Sequence, residues 1–143
     1  MDIKEKLQQT LKDASIRWDE MKNGRIYIDT APGDIPAIVP LLLSSGGLRL
    51  ITITGTDTSY GIELLYHFSD DASGTVVTLR VLLKDRAHPS IESLTPSLKC
   101  AHWIEREIGE LLGVEFLHHP CPKHLLLSDD WPEGNYPLRQ GNN

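Results

Sequence analysis

Apolar residues recur at helical intervals near the start of this chain and again around residue 105, and at every second position between. Ile3, Leu7, Leu11 and Ala14 share one helical face, so residues 2–14 are expected as an amphipathic helix. Ile16-Arg17-Trp18 and residues 25–29 flank Asn23-Gly24, the dipeptide that most favours a tight hairpin turn. Asp34-Ile35-Pro36 opens a second helix, proline being tolerated in a first turn, and Gly46-Gly47 stops it. Residues 48–54, 62–68 and 75–84 then read as three successive strands. In the last of these Val77, Leu79, Val81 and Leu83 occupy one face, with Arg80 and Lys84 on the other. Such alternation suits an antiparallel sheet covered on one side. A third helix is expected from Thr95-Pro96, with Thr95 as its N-cap and Gly113 just past its end.

After Gly113 come Pro120, Pro122, Pro132 and Pro137, which leave no room for another long helix. The expectation is an α+β domain over residues 1–113, helices on one face of a largely antiparallel sheet, followed by an extended arm over residues 114–143. The arm carries Trp131, Tyr136, Leu125, Leu126 and Leu138 with little of its own to bury them against. A partner surface is the natural place for such side chains.

Composition narrows the function classes. The chain has 143 residues, enough for a single core, and a formal net charge of −6. An acidic chain without a basic run is a poor ligand for nucleic acid or an anionic membrane surface. Its apolar runs, such as residues 38–43, are too short to span a bilayer, and no signal-peptide layout precedes them. A cytoplasmic location is expected. Cys100 and Cys121 are the two cysteines and are expected as reduced thiols.

Two constellations could carry chemistry. On the third helix Cys100, Ala101, Ile104, Ile108, Leu111 and Leu112 form the apolar stripe, with Glu105 and Glu107 on its two borders and Arg106 directed away. Residues two apart do not face each other, so Glu105 and Glu107 are not an acid/base couple. They read either as surface carboxylates with ion-pair partners or as charges that fix the helix against a neighbouring subunit. The second constellation is His118, His119, Cys121 and His124, a density of ligand types that would suit a transition metal or a thiol-dependent enzyme. Its spacing matches no common zinc pattern, and no Gly-rich oxyanion turn or third orienting group accompanies it. His67 reads as a sheet residue. No phosphate-cradling loop or dinucleotide fingerprint occurs.

The ordered set Glu105-Arg106-Glu107, Gly113, Phe116, His119-Pro120, Leu125-Leu126, Asp130-Trp131 and Pro137-Leu138-Arg139 resembles the signature of the 30-kDa subunit of respiratory complex I. Energy-converting nickel-iron hydrogenases have a related subunit. The resemblance is densest from Trp103 to Arg139 and departs from the pattern at four places. Glu110 stands for Asp, His118 for Gly, Cys121 for Asp, and Lys123-His124 for a basic pair. The segment Asp130-Trp131-Pro132-Glu133-Gly134 is nearer the hydrogenase form. The resemblance implies a cofactor-free peripheral subunit of an NADH:quinone oxidoreductase or hydrogenase complex. It would position the large redox subunit, beside a neighbouring iron-sulfur subunit, without catalysis of its own. The implied partner-binding residues are Glu105, Arg106, Glu107, Phe116, His119, Pro120, Asp130, Trp131, Pro137, Leu138 and Arg139. Arg106 in particular is expected to reach a carboxylate on that partner.

Overall fold

A computed structural model of the chain describes residues 3–12, 17–21, 23–44 and 47–141. In order the elements are α1 (Ile3–Thr10), β1 (Arg17–Met21), β2 (Arg25–Asp29), α2 (Ile35–Ser44), β3 (Leu48–Thr58), β4 (Gly61–Asp70), β5 (Thr75–Leu83), β6 (Ser90–Glu92), α3 (His102–Leu112) and β7 (Glu115–Leu117). Short 3-10 turns at Pro32–Asp34 and Lys99–Ala101 lead into α2 and α3. The fold is α+β, with a five-stranded, mostly antiparallel sheet, in agreement with the sequence pattern. Strand order is β1-β2-β5-β4-β3. An unexpected pairing is parallel: β2 lies beside β5, with Ile28 opposite Leu79. Ends of the expected first helix, Ile16 of the hairpin and Gly46 lie outside the described residues.

Residues 1–52 and 65–81 form one compact unit, and residues 53–64 and 82–143 another. In the first, α1 packs on α2. Leu7, Ile28, Ile35, Leu42, Tyr66 and Phe68 are fully buried. The hairpin forms as Asn23-Gly24 predicts, pairing Met21 with Arg25 and Arg17 with Asp29. Arg80 ties this hairpin to β5: its Nε donates to Asp29 at 2.5 Å and its Nη2 to Asp19 at 2.7 Å. The guanidinium lies over the Tyr27 ring, 5.3 Å from its centroid.

In the second unit α3 lays Ile108 and Leu112 against β3 at Gly55. A Cβ there would stand 2.6 Å from the Leu112 side chain, so only glycine lets the helix come so close. β6 and β7 pair in parallel, Ile91 opposite Phe116, and both of those side chains are buried. These three-residue strands are too short to leave a period in the sequence. Residues after Gly113 cluster with α3 in this second unit.

Thr95 is not the N-cap of α3. The chain from Leu94 makes a turn in which the Leu98 amide donates to the Leu94 carbonyl at 2.7 Å, and α3 starts only at His102. The Thr95 hydroxyl is directed instead to Glu105, at 2.8 Å. Cys100, expected on the buried stripe, precedes α3 and is exposed. The other end follows the sequence: Gly113 caps α3 in the left-handed conformation, φ 72°, its amide donating to the Gly109 carbonyl.

Candidate functional site

Three charged positions on α3 each hold a different stretch of backbone. On a helix Glu105, Arg106 and Glu110 fall within one broad face, beside the apolar one. Glu105 is not a border carboxylate facing solvent; it is 1% exposed. Its Oε1 accepts from the Leu94 amide at 2.6 Å, and its Oε2 from the hydroxyls of Ser93 at 2.5 Å and Thr95 at 2.8 Å. A buried carboxylate is stable only with donors of this kind, and three charge-assisted hydrogen bonds supply them.

Arg106 turns to the arm. Its Nε donates to the Lys123 carbonyl at 2.8 Å and its Nη2 to the His124 carbonyl at 2.6 Å. Through these bonds Arg106 holds the arm where it folds back along α3. Glu110, 7% exposed, completes the arrangement. Its carboxylate accepts from three consecutive amides: Leu125 at 2.9 Å, Leu126 at 2.7 Å and Leu127 at 3.3 Å. Those bonds turn the loop so that Leu126 projects outward, 64% exposed. Glu107 lies on the exposed side of α3.

The end of the arm is fastened as well. The Tyr136 ring lies so near Gly113 that a Cβ there would be 2.5 Å from a ring carbon. Beyond it the Leu138 amide donates to the Leu111 carbonyl at 3.0 Å. Arg139 Nη2 donates to the Arg86 carbonyl at 2.5 Å, and the Gln140 amide to Asp57 Oδ2 at 2.7 Å. Asp57 is itself buried, with Arg86 Nη2 at 2.8 Å and 2.9 Å from its two oxygens. Arg86 also donates to the Thr58 carbonyl. Leu138 keeps its side chain 56% exposed. Trp131 is half-buried, its indole N–H donating to the Asn135 carbonyl at 2.8 Å. Exposed Asp130 has its pKa held below the usual carboxylate value by the Ser128 hydroxyl and its own amide.

The histidines and cysteines do not converge. His118 pairs with Glu92 at 2.6 Å, and its φ of 61° is the left-handed value that suits the glycine it replaces in the family pattern. His119 is buried between α3 and the arm. Its Nε2–H donates to the His102 carbonyl at 3.0 Å, and its Nδ1 accepts from the Cys121 amide at 3.0 Å. Glu105 stands 3.8 Å from that Nε2. His124 is directed to the Ser128 carbonyl. Among the described residues no group of three or more His, Cys, Asp or Glu side chains is placed to hold a metal ion.

Between α3, β7 and the arm lies a cavity of about 410 Å³, bounded by Glu105, Arg106, Phe116, His118, Trp131 and Tyr136. Glu105 and Glu110, the buried carboxylates that reach it, each accept three hydrogen bonds from the chain itself. Phe116 is buried on its floor, while Pro120 is exposed. α3 is therefore a spine on which the arm is shaped.

Residues 28–142 match the family model described as respiratory-chain NADH dehydrogenase, 30 Kd subunit. The chain belongs to this family. Its relative in the NADH-quinone oxidoreductase of Ruegeria pomeroyi is 31% identical over 135 residues, covering 90% of this chain and 64% of that protein. The chain thus spans just under two thirds of that relative's length. The corresponding protein of Roseiflexus castenholzii is 31% identical over 141 residues, 94% of this chain and 79% of the relative. Among solved structures, a chain of the archaeal membrane-bound sulfane sulfur reductase, a respiratory membrane complex, shares the fold. Its TM-score is 0.79 at 21% identity, over 95% of this chain and 82% of that one. The trypsin-resistant fragment of Nqo5, residues 1–134, has the same fold at a TM-score of 0.68 and 20% identity. That match covers 81% of this chain and 98% of the fragment.

Within the family pattern, Arg106, His119 and Arg139 lie at contacts that hold the arm, and Glu105 holds residues 93–95 before α3. Sequence reasoning missed Asp57 and Arg86, and saw Glu110 only as a substitute for Asp. An acid inside a strand, such as Asp57 between two threonines, was the available signal, since Asp is depleted from strands.

Proposed function

We propose that this chain is a non-catalytic peripheral-arm subunit of a membrane-associated complex, either an NADH:quinone oxidoreductase of complex I type or an energy-converting hydrogenase. It positions the large redox subunit and needs no cofactor of its own. It sits on the cytoplasmic side, held to the membrane through its complex; among the described residues no helix is long and apolar enough to cross a bilayer. One observation carries this reading beyond family membership. Arg106 and Glu110 of α3 are spent on holding residues 123–127 of an arm that exposes Leu126 and Leu138. A chain that invests a buried carboxylate in presenting an apolar side chain is built to be bound.

The test is assembly of the full chain with the large redox subunit of its complex, followed by co-purification. Wild type should bind and show no NADH oxidation or hydrogen evolution by itself. Leu138→Asp places a charge on the presented surface without removing the amide bond to Leu111, and should abolish co-purification. Normal assembly of Leu138→Asp combined with Trp131→Ala, or turnover by the isolated chain, would refute the proposal.

A further inference from the structure

The start of α3 carries a side chain that the fold leaves outside. Trp103 is 67% exposed, on the side of the helix opposite Ile108 and about one turn before Arg106 on the same side. Indole is the largest apolar side chain a protein has, and its exposure in water is unfavourable unless something covers it. Trp103 does not stand on a flat surface. It forms one wall of an open cleft of about 680 Å³, with Pro96, Cys100, His102 and Pro120 around it and Lys99 at its edge. The two prolines stiffen the flanking backbone, so the cleft exists before anything enters it. The His102 ring is itself braced, tilted against buried His119 with centroids 4.8 Å apart.

Charge says what kind of group fits. The chain carries a net −6, yet among the described residues no carboxylate lines this cleft, and the fixed charge there is the Lys99 ammonium. Lys99 has no ion-pair partner among the described residues. The cleft is therefore a locally cationic, aromatic spot on an acidic protein. A second copy of this chain, carrying the same net negative charge, would meet long-range repulsion on approach. A segment with an apolar or proline side chain against Trp103, and a carboxylate a few residues away, would satisfy both features at once.

Resting on the assembly reading above, we propose that the Trp103 cleft is a second docking point, distinct from the outward-facing Leu126 and Leu138 of the arm and bordered by the arm only at Pro120. Its occupant is an extended segment of the large partner subunit, anchored by an apolar side chain on Trp103 and by a carboxylate on Lys99. Binding of the purified large subunit to the full chain is measured at about 50 mM and about 500 mM salt for wild type, Trp103→Ala and Lys99→Glu, a range over which screening of exposed charges changes strongly. Both side chains are exposed, and unchanged urea midpoints verify that the variants fold. Trp103→Ala should weaken binding about 30-fold, the ~2 kcal/mol expected of an aromatic anchor at ~1.4 kcal/mol per tenfold. Lys99→Glu should weaken it about tenfold at the lower salt and much less at the higher, where screening removes the charge effect.

Wild-type affinity in both variants overturns the proposal while leaving the assembly reading intact. A loss confined to Trp103→Ala overturns the acidic part of the assignment. If Trp103→Ala instead abolishes self-association of the isolated chain in sedimentation, with large-subunit binding unchanged, the occupant is a second copy and the proposal is wrong. Failure of wild type to bind refutes the assembly reading, and this docking point with it.

Discussion

The same substitution, Glu to Gln, should have different consequences at two positions of α3, because the donors differ in kind. Glu110 accepts from the amides of Leu125, Leu126 and Leu127, which cannot become acceptors. A glutamine carbonyl can keep the Leu125 and Leu127 bonds, but its NH2 then faces the Leu126 N–H, now 2.7 Å from the carboxylate. One charge-assisted bond is lost, worth about 1.5–3 kcal/mol, and the others weaken toward the ~1 kcal/mol of a neutral pair. Water can reach the part-exposed loop and relieves some of this, so Glu110→Gln should cost about 2–4 kcal/mol. Glu105 meets two hydroxyls and one amide. A glutamine there keeps the Leu94 amide on its carbonyl, and its NH2 donates to Ser93 and Thr95, whose hydroxyls rotate to accept. It also removes a buried charge, offsetting part of the loss. Glu105→Gln should cost about 0–1.5 kcal/mol, whereas Glu105→Ala, which leaves a cavity and unpaired donors, should cost about 3–5 kcal/mol. Urea unfolding of the full chain at pH 7 checks the order. With a slope of about 1–3 kcal/mol per molar, the Glu110→Gln midpoint should fall by roughly 1–2 M. Hydrogen exchange should quicken at residues 125–127 in that variant alone. Equal losses for Glu105→Gln and Glu110→Gln would refute the donor argument.

Gly113→Ala should destabilise by about 2 kcal/mol or more, combining a left-handed φ of 72° with a clash against Tyr136; thermal unfolding near the wild-type temperature would show the contact to be soft. Burial, and then the charge of Arg25, hold the His67 pKa below its ordinary value, so the native state favours the neutral ring. As pH falls below about 6.5 the unfolded chain takes up the proton first. Stability contributed at this site is therefore lost until pH reaches the lowered native value, and then levels off. Urea midpoints from about pH 7.5 to about pH 5 should decline more steeply for wild type than for His67→Gln, and parallel profiles would count against this.

Periodicity, with the turn and stop residues that punctuate it, made the helices, the hairpin and the three long strands legible, because burial of one face imposes a period of 3.6 or 2 on whatever sequence folds that way. Val77, Leu79, Val81 and Leu83 are buried as their alternation requires, and Gly113 ends α3 because few other residues tolerate its conformation. The ordered motifs from Glu105 to Arg139 pointed to the family through their identity and order, without the contacts they make being visible. Partnerships between distant residues left no such trace. A carboxylate that will be buried under residues 93–95 looks the same in sequence as one that will face water. Glu105 thus read as a border charge and Arg106 as a reach toward another subunit. Neither the fastening of Gln140 to Asp57, 83 positions earlier, nor the parallel contact of β2 with β5 has a local signature. Such contacts exist only once the chain has folded back on itself.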